Sequence, residues 1–278
     1  MNNKRIAFLG AGNMAEAIIS GFVQSGKLNA EQITVTNRSN IERLSELKDK
    51  YGIEAVTKDQ LDYKTIDIFI LAMKPKDIDG VLEDLHEKIT ADQLLISVLA
   101  GISTSYMEDG LNDRQRVIRV MPNTSSMIQE SATAVSPGKF VDMDQLKMAK
   151  ELMNCIGEAY LIDEDMMDIY TGIAGSGPAY FYKLMEHMEE AGHEAGMERE
   201  LARKIGAQTL YGAAKMIIDQ EETPAELRRN ITSPNGTTAA GLDALDKFGG
   251  GKAIEEAVKS AASRSKELSK LSKEPVKL

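Results

Sequence analysis

The 278-residue sequence has one cysteine, Cys155, three histidines, and aromatic residues at only 5% of the chain. A single thiol excludes an intramolecular disulfide framework and a four-thiolate metal site, and it suits a reducing compartment. His86, His187 and His193 show no paired metal-ligand spacing, so no metal site is expected. No Gly-x-Ser-x-Gly elbow surrounds Ser176, which argues against a serine hydrolase. Positive charge is also scarce: 33 Lys and Arg against 43 Asp and Glu give a formal net charge of −10. Nucleic-acid binding needs clustered cations to neutralise phosphates and is therefore not expected. The longest apolar runs, residues 66–73 and 94–100, fall far short of the roughly 20 residues that span a bilayer, so no membrane segment is expected. The first residues enter a strand-like run with no separate hydrophobic signal region, and a cytoplasmic protein is expected.

What is present divides the chain in two. Up to about residue 162, short apolar runs alternate with longer amphipathic stretches, the pattern of βαβ units on a mostly parallel sheet. Strands are expected at residues 5–9, 33–36, 66–72, 94–99 and 116–120, with a weaker one at 132–135. Ile78, Val81, Leu82, Leu85 and Ile89 follow Pro75 at helical spacing and predict a crossover helix.

From about Asp165 the strand signal ends, and stretches rich in Ala, Met, Glu and Lys predict an all-helical half. Tyr180, Leu184, Met188 and Ala191 share one stripe, and residues 201–218 are apolar over much of their circumference. That is more apolar surface than a thin bundle buries alone, which predicts a homodimer through this half. The alternative is that these helices bury everything against their own sheet domain. The expected fold is α/β, with a Rossmann-type domain over 1–162 and a helical substrate-binding and dimerisation domain over 163–278. Cys155 is expected as a packing residue in an apolar helix, and the tail after Ala262 is expected to fray.

Gly10-Ala11-Gly12-Asn13-Met14-Ala15 follows the first strand and opens a helix, the context a dinucleotide-binding fingerprint requires. Gly10 permits the tight turn, Gly12 lets a pyrophosphate approach the backbone, and Ala15 lets helix pack on strand. Asn13 and Met14 supply N–H donors at the helix start. The second strand ends in Asn37-Arg38-Ser39, with no carboxylate to accept hydrogen bonds from ribose hydroxyls. A neutral residue, a guanidinium and a hydroxyl suit a 2′-phosphate, so NADP(H) is favoured and NAD(H) is the weaker alternative. The competing reading makes Arg38 a solvated loop charge and Ser39 or Asn40 a helix cap. Ala72, Lys74 and Pro75 end the next central strand, where open α/β sheets bind ligands, and Lys74 is a candidate to face the cofactor, its alternative being an ordinary surface lysine. Ala100 with Gly101, and Met121-Pro122-Asn123-Thr124, stand at equivalent strand ends and are candidates for the nicotinamide side.

The stretch from Asn230 to Leu242 joins two helices and gathers hydroxyls and exposed N–H groups at the start of the second, a ready carboxylate site. Together with the preceding motifs and Gly175-Ser176-Gly177-Pro178-Ala179-Tyr180, the run Ser233-Pro234-Asn235-Gly236-Thr237-Thr238 resembles the pyrroline-5-carboxylate reductases over about residues 4–265. These enzymes reduce Δ1-pyrroline-5-carboxylate to L-proline in the last step of proline biosynthesis. The resemblance implies an NADPH-binding first domain, a helical second domain that interlocks with its twin, and an active site between domains and subunits. In some members the dimers assemble further into a decamer. It also implies that Thr238 hydrogen-bonds the ring nitrogen as the catalytic hydroxyl and that Gly236 and Thr237 hold the substrate carboxylate. Asn230 and Glu164 would line the pocket. Two positions depart from the family pattern: Asn235 stands where many members have glycine, and a family asparagine near the adenine ribose is replaced around Lys58 and Asp59. The rival readings are another NADP-dependent reductase on the same architecture and a non-catalytic NADP(H) sensor.

Overall fold

The computed structural model describes residues 4–271. Strands β1 (Ile6–Leu9), β2 (Ile33–Asn37), β3 (Glu54–Thr57), β4 (Ile68–Leu71), β5 (Leu94–Ser97), β6 (Arg116–Met121), β7 (Ser131–Pro137) and β8 (Gly157–Leu161) form one sheet among the described residues. Its order is β3-β2-β1-β4-β5-β6-β7-β8, and every neighbouring pair is parallel except the antiparallel β6 and β7. Between the strands run α1 (Asn13–Gln24), α2 (Ile41–Tyr51), α3 (Ile78–Lys88), α4 (Thr104–Asp109) and α5 (Met143–Met153).

The central strands are apolar on both faces because helices cover both sides. Ile6, Phe8, Ile68, Ile70, Leu94 and Ile96 enter one core with α1, α2 and α5. Their neighbours Ala7, Leu9, Phe69, Leu71 and Leu95 enter a second core with α3 and α4. The period of two along each strand thus divides one sheet between two cores. α2 starts where the Asn40 side chain accepts the Arg43 N–H at 2.9 Å, and it stops at Gly52 in left-handed backbone.

Two strands were not expected from the sequence. β3 and β8 are the two edges of the sheet; β3 has no fully buried residue and β8 buries only Ala159. A half-exposed edge does not require a continuous apolar run, so the pattern that reveals β1 and β4 is weak there.

Beyond β8 lie α6 (Met167–Tyr170), a π-helical turn over Thr171–Gly175, α7 (Gly177–Glu194), α8 (Arg199–Asp219), α9 (Pro224–Asn230), α10 (Thr237–Lys247) and α11 (Gly250–Leu271). The chain divides into two compact units: one runs to Gly175 and resumes at Ser260, and the other is Ser176–Lys259. This division differs from the expected 162/163 boundary because residues 164–174 are tied to the sheet unit. Glu164 bonds Thr104 and Arg119, and Asn123 Nδ2 donates to Ala174 O at 3.1 Å. The tail also differs from the expected fraying, since α11 continues to Leu271 with Ser265 Oγ donating to Asp168 Oδ1 at 2.7 Å. Residues 272–278 of that expectation lie outside the described residues. Cys155 is half-buried in a short turn, Asn154–Ile156, and not in an apolar helix.

In the second unit α7 and α8 lie close enough that a Cβ on Gly206 would come within 2.7 Å of Met185. Leu184 and Met188 on the stripe of α7, and Leu201, Ile205, Ile217 and Ile218 on the all-round apolar α8, nevertheless remain exposed, the outcome anticipated from those two patterns. No helix among the described residues is long and apolar enough to cross a membrane.

Candidate cofactor cleft and substrate turn

The strand order reverses between β2 and β4 across β1, so the connections leaving β1 and β4 diverge to opposite faces and leave a crevice. Gly10 N–H donates to Thr36 O and Ala72 N–H to Leu9 O, each at 2.9 Å, which draws the ends of β2, β1 and β4 together. A cleft of about 1040 Å³ opens over these ends, lined by residues 10–14, 36–40 and 72–74. The structure therefore gathers Gly10, Gly12, Asn13, Met14, Asn37, Arg38, Ser39, Ala72 and Lys74 into one lining. Ala15, Pro75 and Ala100 are outside it. Ala15 is fully buried where α1 packs on the sheet, Pro75 opens the turn before α3, and Ala100 is exposed in the turn after β5.

This lining fits a dinucleotide. A Cβ placed on Gly12 would meet no atom within 4 Å, so the space over the turn is open. No side chain caps α1, which leaves the N–H groups of its first turn for a ligand. The Thr36 hydroxyl is buried at the cleft with no hydrogen-bond partner, the state of a group that awaits one.

The ribose end of the cleft is organised by Asn37. Its Oδ1 accepts the N–H groups of Ser39 at 3.0 Å and Asn40 at 2.8 Å, and its Nδ2 donates to Asn40 O at 2.8 Å. Asn37 thus shapes the turn that presents Arg38 and Ser39. The Arg38 side chain is 88% exposed, and its ion pair is a loose one with Asp77 at 3.8 Å. Among the lining residues not identified from sequence are Thr36, Arg43 and Asp84, while Lys58 stands where the resemblance has an asparagine replaced near the adenine ribose. Arg43 Nε donates to Ala11 O at 3.0 Å and its other nitrogens to Glu46 and Glu16, so it bolts α2 to the glycine turn. A helical i, i+3 relation to the Asn40 cap was the available signal for Arg43.

Glu16, on the first turn of α1, accepts hydrogen bonds from Lys50 at 2.8 Å, from Arg43, and from Tyr51 at 3.0 Å. Hydrogen bonding to Lys50 first and Arg43 second pulls its carboxyl down to about 2 against partial burial. A folded-state value below the unfolded one stabilises fully above pH ~4.5 and is lost as pH falls from there toward ~2. Glu16→Gln is expected to reduce stability by about 2 kcal/mol at pH 7. The gap from the parent protein should close between pH 4.5 and 2, as read from urea midpoints across that range. A gap constant with pH would show that Glu16 acts by shape and not by charge.

In the second unit, α9 ends at Asn230, which is exposed, and the chain then turns tightly into α10. Gly236 N–H donates to Ser233 O at 3.0 Å, and Asn235 has φ +58°, the left-handed backbone that asparagine adopts more readily than most residues. α10 begins at Thr237 behind Gly236, and no side chain caps it. Ser233 Oγ lies 2.4 Å from where a Cβ on Gly236 would be, so that position favours glycine. Gly236, Thr237 and Thr238 are therefore gathered at an uncapped helix start with the half-buried Thr238 on its first turn, and Asn230 is six residues earlier in the chain.

Glu164 belongs to the sheet unit. One carboxylate oxygen accepts the Thr104 N–H at 2.9 Å and Arg119 Nη1 at 3.1 Å, and the other accepts the Thr104 hydroxyl at 2.5 Å. Arg119 is buried on β6, so this charge pair fixes the start of α4 against the sheet.

Known proteins resemble this chain in sequence and fold. The family profile for pyrroline-5-carboxylate reductase dimerisation matches residues 164–268, and one described as NADP oxidoreductase, coenzyme F420-dependent, matches residues 5–101. Pyrroline-5-carboxylate reductase 1 of Bacillus subtilis is 58% identical over 268 residues, 96% of this chain and 90% of that protein. The structure of a pyrroline-5-carboxylate reductase from Coxiella burnetii superposes with a TM-score of 0.88 at 34% identity, covering 96% of this chain and 99% of the other. That of Plasmodium falciparum pyrroline carboxylate reductase, crystallised with NADP bound, gives 0.85 at 28% identity over 97% and 99%. With the glycine turn, the anion-ready cleft and the Ser-Pro-Asn-Gly-Thr-Thr turn all in place, the chain belongs to the pyrroline-5-carboxylate reductase family.

Proposed function

We propose that this protein reduces Δ1-pyrroline-5-carboxylate to L-proline with NADPH. The observation that carries the reading is the start of α10, which follows the left-handed Asn235 and the extended Gly236 and has no side-chain cap, with Thr238 on its first turn. It lies in a chain that shares 58% identity with a named reductase of this kind.

The substrate has a carboxylate and a ring C=N bond, and the turn offers one group for each. The N–H groups at the start of α10, with the positive end of the helix dipole, bind the carboxylate. The Thr238 hydroxyl bonds the ring nitrogen and orients the C=N carbon. The glycine turn, Arg38, Ser39 and Lys74 would hold NADPH, which would supply the hydride. A threonine hydroxyl is a weak acid, so Thr238 relays to nitrogen a proton that solvent provides. Hydride at carbon and proton at nitrogen together give the amine of proline. Positioning and polarisation are the protein's contribution. In this reading Asn230 is a neutral polar group of the substrate-binding region, and Glu164, in the sheet unit, is a fixed charge held by Thr104 and Arg119.

The functional division follows the 1–162 NADP(H)-binding and 163–278 substrate-binding and dimerisation regions. The helical region carries the homodimer, with the decamer built by some family members as the further assembly. The cytoplasm is the proposed compartment. Purified protein is expected to oxidise NADPH only when pyrroline-5-carboxylate is added, and faster than NADH at equal concentration. Tight NADPH binding without that turnover would overturn the reading in favour of a cofactor sensor.

A further inference from the structure

The edge strand β3 brings a cation to the cofactor cleft that the glycine motif gives no reason to expect. Thr57 is in register with Asn37, so β3 and β2 end side by side, and Lys58 lines the same cleft as Arg38, Ser39 and Asn40. Lys58 Nζ lies 3.1 Å from Asp84 Oδ2, while Lys88 Nζ lies 2.6 Å from Asp84 Oδ1. One carboxylate is thus shared by two ammonium groups. Lys88 is the closer and sits one helical turn from Asp84 on α3, so Lys58 can leave without stranding the carboxylate.

Of the other cations that line the cleft, Lys74 and Lys76 belong to the turn that follows β4, and the two arginines are placed differently from Lys58. Arg43 is committed to Glu16, Glu46 and the Ala11 carbonyl. Arg38 is largely solvated. A phosphate monoester carries between one and two negative charges near neutral pH, more than a single exposed guanidinium neutralises. We propose that Lys58 is a second reader of the cofactor's 2′-phosphate, acting with Arg38 and exchanging its half-share of Asp84 for the phosphate. The inference rests on the NADP(H) reading and adds a specificity-determining residue to it.

The test uses 2′,5′-ADP, which carries the 2′-phosphate, and 5′-AMP, which does not, titrated against the whole protein by calorimetry. The unmodified protein binds 2′,5′-ADP the more tightly. If it does not, the NADP(H) reading fails, and this proposal fails with it before any variant is made. Lys58→Met is expected to weaken 2′,5′-ADP about tenfold and leave 5′-AMP little changed, because one charge-assisted bond is removed. Lys58→Arg restores the preference. Asp84→Asn is expected to tighten 2′,5′-ADP by freeing Lys58. A lysine that served only as a strut between β3 and α3 would make Lys58→Met and Asp84→Asn behave alike. That result, or equal losses for both nucleotides in Lys58→Met, would overturn the assignment while leaving the NADP(H) reading intact.

Discussion

Replacing Thr238 with alanine is expected to lower kcat/KM for pyrroline-5-carboxylate about 100-fold, with NADPH affinity unchanged. The loss is that of one positioned hydrogen bond to the atom whose charge changes as hydride arrives. Valine, which keeps the shape of threonine without its hydroxyl, should lose as much as alanine, and serine should keep most of the activity. The carboxylate contacts come from backbone N–H groups at the start of α10, which all three variants retain, so KM should move less than kcat. Steady-state kinetics of the three variants, paired with NADPH titrations, decide the matter. Near-normal kcat/KM in Thr238→Val would remove the hydroxyl from the reaction.

Legibility of this fold followed burial. The central strands β1, β4 and β5 were readable because helices cover both their faces and all their residues but Ser97 are apolar. The edges β3 and β8 were not, so Lys58 was placed near the adenine ribose by the resemblance alone, whereas Arg38 was identified from the end of β2. The glycine turn was readable because its chemistry lies in contiguous residues. Arg43 acts through its reach to Ala11 and Glu16 across the α1–α2 packing, which no local motif encodes. Glu164 came from resemblance alone, and its bonds to Thr104 and Arg119 span 60 and 45 residues, beyond any spacing rule. Long-range bonds likewise decide to which compact unit residues 164–174 belong, which no local pattern encodes.

The two fingerprint glycines should fail in different ways, and the contrast separates fold from ligand binding. Gly10 has φ +119°, and a Cβ there would sit 2.6 Å from the carbonyl carbon and oxygen of Ala72 and 2.7 Å from Met73 N. All three obstacles are backbone atoms of the neighbouring strand end, so no side chain can swing aside. Relief requires β1 and β4 to separate where Ala72 N–H meets Leu9 O. Gly10→Ala is therefore expected to cost about 3 kcal/mol or more, lowering the thermal midpoint by roughly 6–12 °C at fixed protein concentration. NADPH binding is lost with it. Gly12 has φ −77°, extended backbone that any residue adopts, and open space where a Cβ would point. Gly12→Ala should change stability by less than about 0.5 kcal/mol, yet its methyl group occupies the space left for the pyrophosphate. Its thermal midpoint should match the parent protein without cofactor, and the upward shift on adding NADPH should shrink or vanish. A Gly12→Ala protein that NADPH stabilises as fully as the parent would place the pyrophosphate elsewhere and remove the glycine turn from cofactor recognition.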